Sequence, residues 1–297
     1  MNLYNGWLII NKPIGVTSND IVVKVKRLFG KDNKVGHAGT LDPLAEGVLP
    51  VAISEATKTT NYLMEAEKEY EFTVTWGEER STADAEGEVI ASGGITPSAE
   101  DINKVIPKFI GEILQVPPIY SALKIKGQPA YKLARKGVEV ELAPRKILIK
   151  ALELIEHKPM TNSSSFKVLC GKGTYVRSLA VDLARELSTY GYISQLKRTR
   201  VGNFFIKDAI MLANLINLVH NDEIKMHLLP VTYALGDILA VEVDAAQAKA
   251  LKYGQQVFLL DYAQTSDQIA QILLDGVLQA IVCINKGQCK VLRVFNL

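Results

Sequence analysis

Residues 36–47 read GHAGTLDPLAEG. His37, Asp42 and Glu46 are groups able to ligate a metal, move a proton or attack carbon, and they stand among Gly36, Gly39 and Gly47. Asp42 precedes Pro43. The proline ring restricts the residue before it to extended backbone, so the carboxylate is aimed reproducibly. Three chemistries fit poorly. A phosphate loop needs GxxxxGKS, GxxxxGKT or GxGxxG between strand and helix, and neither spacing occurs. A metal site lacks helically spaced histidines and a second ligand cluster, because the four His and three Cys are scattered. A Ser–His–Asp hydrolase lacks its GxSxG elbow. On residue physics alone two readings stay open. One is a tight structural turn in which Gly36 and Gly39 supply positive φ. The other is a site around one aimed carboxylate, with the glycines giving another molecule's backbone room to approach.

A second oddity lies at GKGTYVRSLAVDLARELS, where Val176, Leu179, Ala180, Leu183, Ala184 and Leu187 share one helical face. Arg177 falls in the first turn of that helix. A cation there opposes the helix dipole and is unfavourable unless an anion faces it.

The elements that must position these groups follow from periodicity. WLII at 7–10 reads as a buried strand, and the helix after it is capped by Ser18 or Asn19 and stops at Gly30. VLPVAI at 48–53 reads as a short buried strand with Pro50 marking an edge or kink. In 69–76, Tyr70, Phe72, Val74 and Trp76 alternate with Glu69, Glu71, Thr73 and Thr75, so Tyr70 heads the apolar face of a strand. A helix is expected from Thr96–Pro97 to before Pro107. Residues 117–146 read as a loop-and-helix excursion, followed by strands in ILIKALELI and SFKVLC. From about 238 the tail becomes a strand, a short helix with Asp244 as N-cap and Gly254 as stop, and then QQVFLL, QIAQILL, LQAIVCI and CKVLRVF as short strands. That is a small, mostly β unit of about 60 residues.

Among the 297 residues, 48% are hydrophobic and 22% charged, as in a soluble globular enzyme. No apolar run approaches the roughly 18 residues of a membrane span, and the first residues lack a signal peptide's basic lead. Cys170, Cys283 and Cys289 read as buried, reduced thiols of a cytoplasmic protein. The net charge of +2 does not by itself announce a nucleic acid. The distribution says more: acids gather in 65–88, and bases in 124–150 (Lys124, Lys126, Lys132, Arg135, Lys136, Arg145, Lys146, Lys150) and in LKRTR at 196–200. A clustered basic face is a footprint for a polyanion, though it is equally compatible with a solvated surface.

In order along the chain, NKPIGVTSNDIVVKVKRLFG, KVGHAGTLDPLAEGVLPVAI, KEYEFTVTWG, STADAEGEV, PPIYSALKIKGQPAYKLARKG and GKGTYVRSLAVDLARELS resemble the TruB-type tRNA pseudouridine synthases. The likeness covers most of 7–235, and GxLDP, YSALK and GTYxRS together are highly specific. The tail resembles, more loosely, a PUA-type RNA-binding module. The resemblance implies an α+β pseudouridine synthase fold, a mixed and mainly antiparallel sheet flanked by helices, over residues 1–235. It places an RNA-gripping insertion at about 117–146 and a PUA-like domain at 236–297. The implied activity is conversion of uridine to pseudouridine in the T-loop of tRNA, at position 55, by a monomer with no obligate protein partner, no membrane association and no metal, nucleotide or organic cofactor. By position in the motifs, Asp42 is the essential aspartate and Arg177 its partner. Tyr70 joins them as a catalytic residue that stacks on the flipped base, a proton relay at C5 being left open; His37 contacts the target nucleotide, and Tyr175 and Leu196 line the uracil pocket. Lys124, Tyr131, Arg135 and Arg145 are candidate RNA contacts, Lys12–Pro13 supports the site, and Glu46 and Asp84 receive no role. Two alternatives are a guide-RNA-dependent synthase, which usually has longer extensions and lacks the insertion, and an RNA-folding chaperone, against which the intact GxLDP, Tyr70 and GTYxR argue.

Overall fold

Trp7, Leu8, Ile9 and Ile10 are apolar without alternation, as a strand covered on both faces requires. In the computed structural model they lie in β1 (Gly6–Lys12) and their side chains divide between two cores. Leu8 and Ile10 meet Ile21, Val25 and Phe29 of α1 (Ser18–Phe29), whereas Trp7 and Ile9 meet Phe204, Leu278, Ile281 and Phe295. The described residues are 4–121, 123–125, 127–134, 136, 138, 142–221 and 223–297. The expected RNA contact Arg135, with Lys126 and the side chain of Tyr131, lies outside them.

After α1 come β2 (Val35–His37), β3 (Glu46–Ile53), α2 (Thr60–Glu65), β4 (Lys68–Trp76), β5 (Glu78–Arg80), β6 (Val89–Ser92), α3 (Ala99–Val105) and β7 (Gly111–Gln115). The excursion holds β8 (Lys124–Ile125), β9 (Gln128–Pro129) and α4 (Ala130–Ala134). Then follow β10 (Arg145–Lys158), β11 (Ser163–Cys170), α5 (Val176–Glu186), β12 (Gly191–Val201), β13 (Phe204–Phe205), β14 (Ile210–Met211) and α6 (Leu215–His220). One ten-stranded sheet runs β14-β1-β3-β12-β4-β11-β10-β7, with β13 beside β12 and β2 beside β3. Only β1–β14 and β3–β12 are parallel, so the sheet is mixed and mainly antiparallel and the class is α+β. On one half of it, Phe72, Val74, Phe166 and Val168 pack against Leu179, Ala180 and Leu183 of α5. Leu179 and Leu183 are fully buried, each worth roughly 1.5–3 kcal/mol.

The tail forms a second sheet from β15 (Leu239–Glu242), β16 (Val257–Phe258), β17 (Gln268–Leu274), β18 (Val277–Asn285) and β19 (Gln288–Val294), ordered β15-β17-β18-β19-β16, with α7 (Ala245–Lys252) against it. It has its own core but also shares one with the large sheet, through Leu278, Ile281 and Phe295. Asn296 N–H donates to Glu55 (2.8 Å) and Lys58 to the Val294 carbonyl (2.9 Å).

Several local expectations change. Thr17, not Ser18 or Asn19, caps α1, in a capping box with Asp20, because the Ser18 hydroxyl is taken by Leu41. Pro97 precedes the cap of α3, which is Ser98, rather than opening the helix. Pro50 sits inside the sheet. Its carbonyl accepts from Ala38 N–H (3.0 Å), and on that flank β2 ends and β12 has not begun, so the missing N–H leaves no ladder bond unmade. Cys170 and Cys289 are buried, while Cys283 is only partly so.

Candidate active site

The loop between β2 and β3 is held at almost every residue around Asp42. The Ser18 hydroxyl accepts from Leu41 N–H (2.8 Å) and donates to the Leu41 carbonyl (3.1 Å). The Pro43 carbonyl accepts from Gly15 N–H (2.9 Å) and from Lys12 Nζ (3.3 Å). Lys12 is fully buried and also donates to the Pro13 and Val16 carbonyls. Burial lowers its pKa to about 8, against the opposing pull of Asp42. The expectation that Lys12–Pro13 supports the site acquires a physical form: an ammonium fastens the 13–16 turn to the backbone beside Asp42.

Arg177 occupies the first turn of α5, a helix with no side-chain N-cap. Its Nε meets Asp42 Oδ2 at 2.8 Å, and this is the anion its position demanded. Arg177 is 5% exposed while the Asp42 side chain is 38% exposed, so the cation is interior and the carboxylate opens outward. Nη1 donates to the Thr82 carbonyl (3.0 Å) and lies 3.6 Å from Asp84, and Nη2 donates to the Tyr120 carbonyl (2.9 Å). Asp84 is therefore the second, buried carboxylate of this guanidinium, further held by the Thr82 hydroxyl and Glu86 N–H. Gln115, buried at the end of β7, brackets Tyr175 by accepting from its N–H (2.8 Å) and donating to its carbonyl (3.2 Å). Ser178 donates to the Val116 carbonyl (2.8 Å). The start of α5 is thus tied to both stems of the site and to the entry of the 117–146 excursion.

A cavity of about 300 Å³ opens beside Asp42, lined also by Lys68, Tyr70, Ser121, Tyr175, Arg177, Leu196 and Arg198 among others. Tyr70 is half-buried on β4, on the face that carries Phe72 and Val74. Burial raises its phenol pKa, and Arg198 opposes that through its charge and a hydrogen bond. Lys68, two residues earlier on that face, donates to the Met64 and Ala66 carbonyls, and burial brings its pKa down to about 8. The Ser121 hydroxyl is buried with no hydrogen-bond partner among the described residues. Such a group favours a polar occupant, since an unmade buried hydrogen bond costs about 1–3 kcal/mol.

Of the expected site residues, Asp42, Tyr70, Tyr175, Arg177 and Leu196 come together around this cavity. His37 ends β2, half-buried and outside the cavity's lining, and its Nδ1 has no partner among the described residues. Burial and then the Arg198 charge lower its pKa. Lys124 and Arg145 are exposed at the two ends of the excursion. Glu46 lies 3.9 Å from Lys197.

The segment 196–200 differs from its reading as a basic surface. It is part of the central strand β12, so its side chains alternate between faces, and Arg198 is 1% exposed. Arg200 packs over the Phe205 ring. Lys150 pairs with Glu67, so part of the basic cluster answers the acidic one. The glycines differ too. Gly36 lies in β2 without positive φ, whereas Gly39 (φ +89°) and Gly47 (φ +107°) clear Arg198 rather than an incoming backbone. A Cβ on Gly47 would stand 2.2 Å from the Arg198 carbonyl oxygen.

Residues 26–176 match the TruB family pseudouridylate synthase N-terminal domain, and residues 177–236 match the tRNA pseudouridylate synthase B C-terminal domain. The chain is 45% identical to a tRNA pseudouridine synthase B of Rhodospirillum rubrum over 99% of this chain and 97% of that one. It is 46% identical to one of Bradyrhizobium diazoefficiens, over 99% and 86%. Its fold is similar to that of a chain in the crystal structure of a Cbf5–Nop10–Gar1 complex, with a TM-score of 0.74 at 24% identity over 99% of this chain and 85% of that one.

Proposed function

The chain belongs to the TruB family of pseudouridylate synthases and isomerises uridine to pseudouridine in tRNA, and from that premise we propose that its target is the T-loop uridine at position 55, flipped into the cavity beside Asp42. The Asp42–Arg177 ion pair of 2.8 Å at the wall of that cavity carries the reading. Isomerisation breaks the bond from N1 of uracil to the ribose, turns the base and joins C5 to the same carbon; C5 then gives up its hydrogen as a proton and N1 takes one up, so there is no net redox change. One fixed carboxylate at the ribose serves this by attack or by charge stabilisation. Arg177 holds Oδ2 and supplies the counter-charge once RNA covers the site, while Oδ1 has no hydrogen-bond partner among the described residues.

A uridine inside a folded loop must leave its stack before a protein carboxylate can reach the ribose. Tyr70 provides the stacking surface, Tyr175 and Leu196 the walls, and Ser121 an unspent hydrogen bond. His37, outside the cavity, meets the displaced nucleotide. Lys124 and Arg145 hold phosphates from the excursion, with Tyr131 and Arg135 assigned to the same grip by their place in the motif. Residues 1–235 form the catalytic unit and 236–297 a PUA-like RNA-binding unit. The enzyme works as a cytoplasmic monomer without an obligate protein partner, in keeping with its unpaired cysteines.

Pseudouridine mapping of an unmodified tRNA transcript and of an isolated T-arm hairpin, each incubated with the protein alone, tests this. Modification of position 55 in both is expected. Product at another position, or only when a guide RNA is added, contradicts the assignment.

A further inference from the structure

We propose that Arg198 is a positioning residue of the isomerisation, its buried guanidinium fixing the Asp42 loop against the strand that carries Tyr70. The inference rests on the catalytic reading of Asp42 and Tyr70 given above.

The guanidinium of Arg198 spans the loop. Nε donates to the Val48 carbonyl (2.8 Å), Nη2 to Gly39 (3.0 Å) and Nη1 to Thr40 (3.5 Å), so one side chain grips both stems between which Asp42 is carried. Its backbone lies opposite Tyr70 in the β12–β4 register and opposite Gly47 in the β12–β3 register. Arg198, Tyr70 and Asp42 line the same cavity. The loop is shaped around it: a Cβ on Gly39 would come within 3.3 Å of Nη1, and one on Gly47 would strike its backbone.

At 1% exposure it forms no ion pair among the described residues, and carbonyl oxygens neutralise it incompletely. A buried charge in that state is a poor device for stability alone, since apolar side chains of similar volume often serve a core as well or better. The planar fork matters instead, because it fixes three acceptors in one plane. A lysine offers a point charge on a flexible stem and reaches fewer of them.

Full-length Arg198→Gln and Arg198→Lys are compared with the parent and with Asp42→Asn, measuring circular dichroism, tRNA affinity and single-turnover rate. Both Arg198 variants are expected to fold and to bind tRNA within about threefold of the parent. The rate should fall by about 100-fold in Arg198→Gln, the scale set by ångström misplacement of a reacting group, and by less in Arg198→Lys. Three results overturn the proposal: a folded Arg198→Gln with the parent's rate, a loss confined to tRNA affinity, or failure of both variants to fold, which makes Arg198 a stability element. Turnover by Asp42→Asn would sink the underlying catalytic reading instead, whatever Arg198 does.

Discussion

Arg177→Met removes the cation that joins two carboxylates and two carbonyls. Asp42 is more than a third exposed and re-solvates, so it adds little to the stability loss. Asp84 is 3% exposed and does not re-solvate. Among the described residues it keeps only the Thr82 hydroxyl and the Glu86 N–H as donors, while the Thr82 and Tyr120 carbonyls each lose theirs. Breaking a buried pair from one side costs about 3–5 kcal/mol, and that is the loss expected here by denaturant titration. Most of it is the stranded charge on Asp84, so Arg177→Met with Asp84→Asn should recover roughly half of the stability. The rate should not recover, because Asp42 stays unheld in both variants. A single-turnover rate about 100-fold below the parent is expected in each. A single variant within about 1 kcal/mol of the parent, or a double variant that regains turnover, would refute the reasoning.

Burial brings the folded pKa of Lys68 down to about 8 from the ordinary lysine value of 10.5, so the unfolded chain holds more protons between these values and stability rises with pH there. The parent should gain on Lys68→Met by up to about 3 kcal/mol between pH 8 and 10.5, measured by urea titration at several pH values, and a flat difference contradicts the burial argument. Gly47→Ala places a methyl 2.2 Å from a backbone oxygen at φ +107°, so a loss of about 2–4 kcal/mol is expected in the same assay, and neutrality would mean that β3 and β12 can part freely. Phe295 is fully buried in the core shared with Trp7 and Phe204. Phe295→Ala should cost about 3–5 kcal/mol and lower one melting transition for the whole chain; two separate transitions, only one of them shifted, would show that the tail sheet is independent.

The sequence made the chemistry more legible than its support. Asp42 before Pro43 and Arg177 in a first helical turn are local features, and the ion pair that unites them is in place. The alternation of 69–76 was equally local, and the strand carries Tyr70 as expected. Arg198 was hidden because its partners are 150 or more residues away in sequence. Its neighbours Lys197 and Arg200 also made the segment look like a surface patch. The available signal was period two: with Leu196 facing inward in a strand, Arg198 must face inward as well. Asp84 and Gln115 were missed because they act on Arg177 and on the Tyr175 backbone, contacts that depend on how β7, α5 and the acidic loop meet. Of the three glycines, for which a turn and a clearance were both open, Gly39 and Gly47 have positive φ and clear the protein's own arginine, whereas Gly36 does neither.

The most direct test is the single-turnover reaction of Asp42→Asn on unmodified tRNA, with its affinity measured alongside. The substitution keeps the size of the side chain and an oxygen for Arg177, and it removes the charge. Unchanged folding, tRNA affinity within about threefold of the parent and no detectable pseudouridine at position 55 are expected. Turnover at or near the parent's rate would contradict the role given to Asp42.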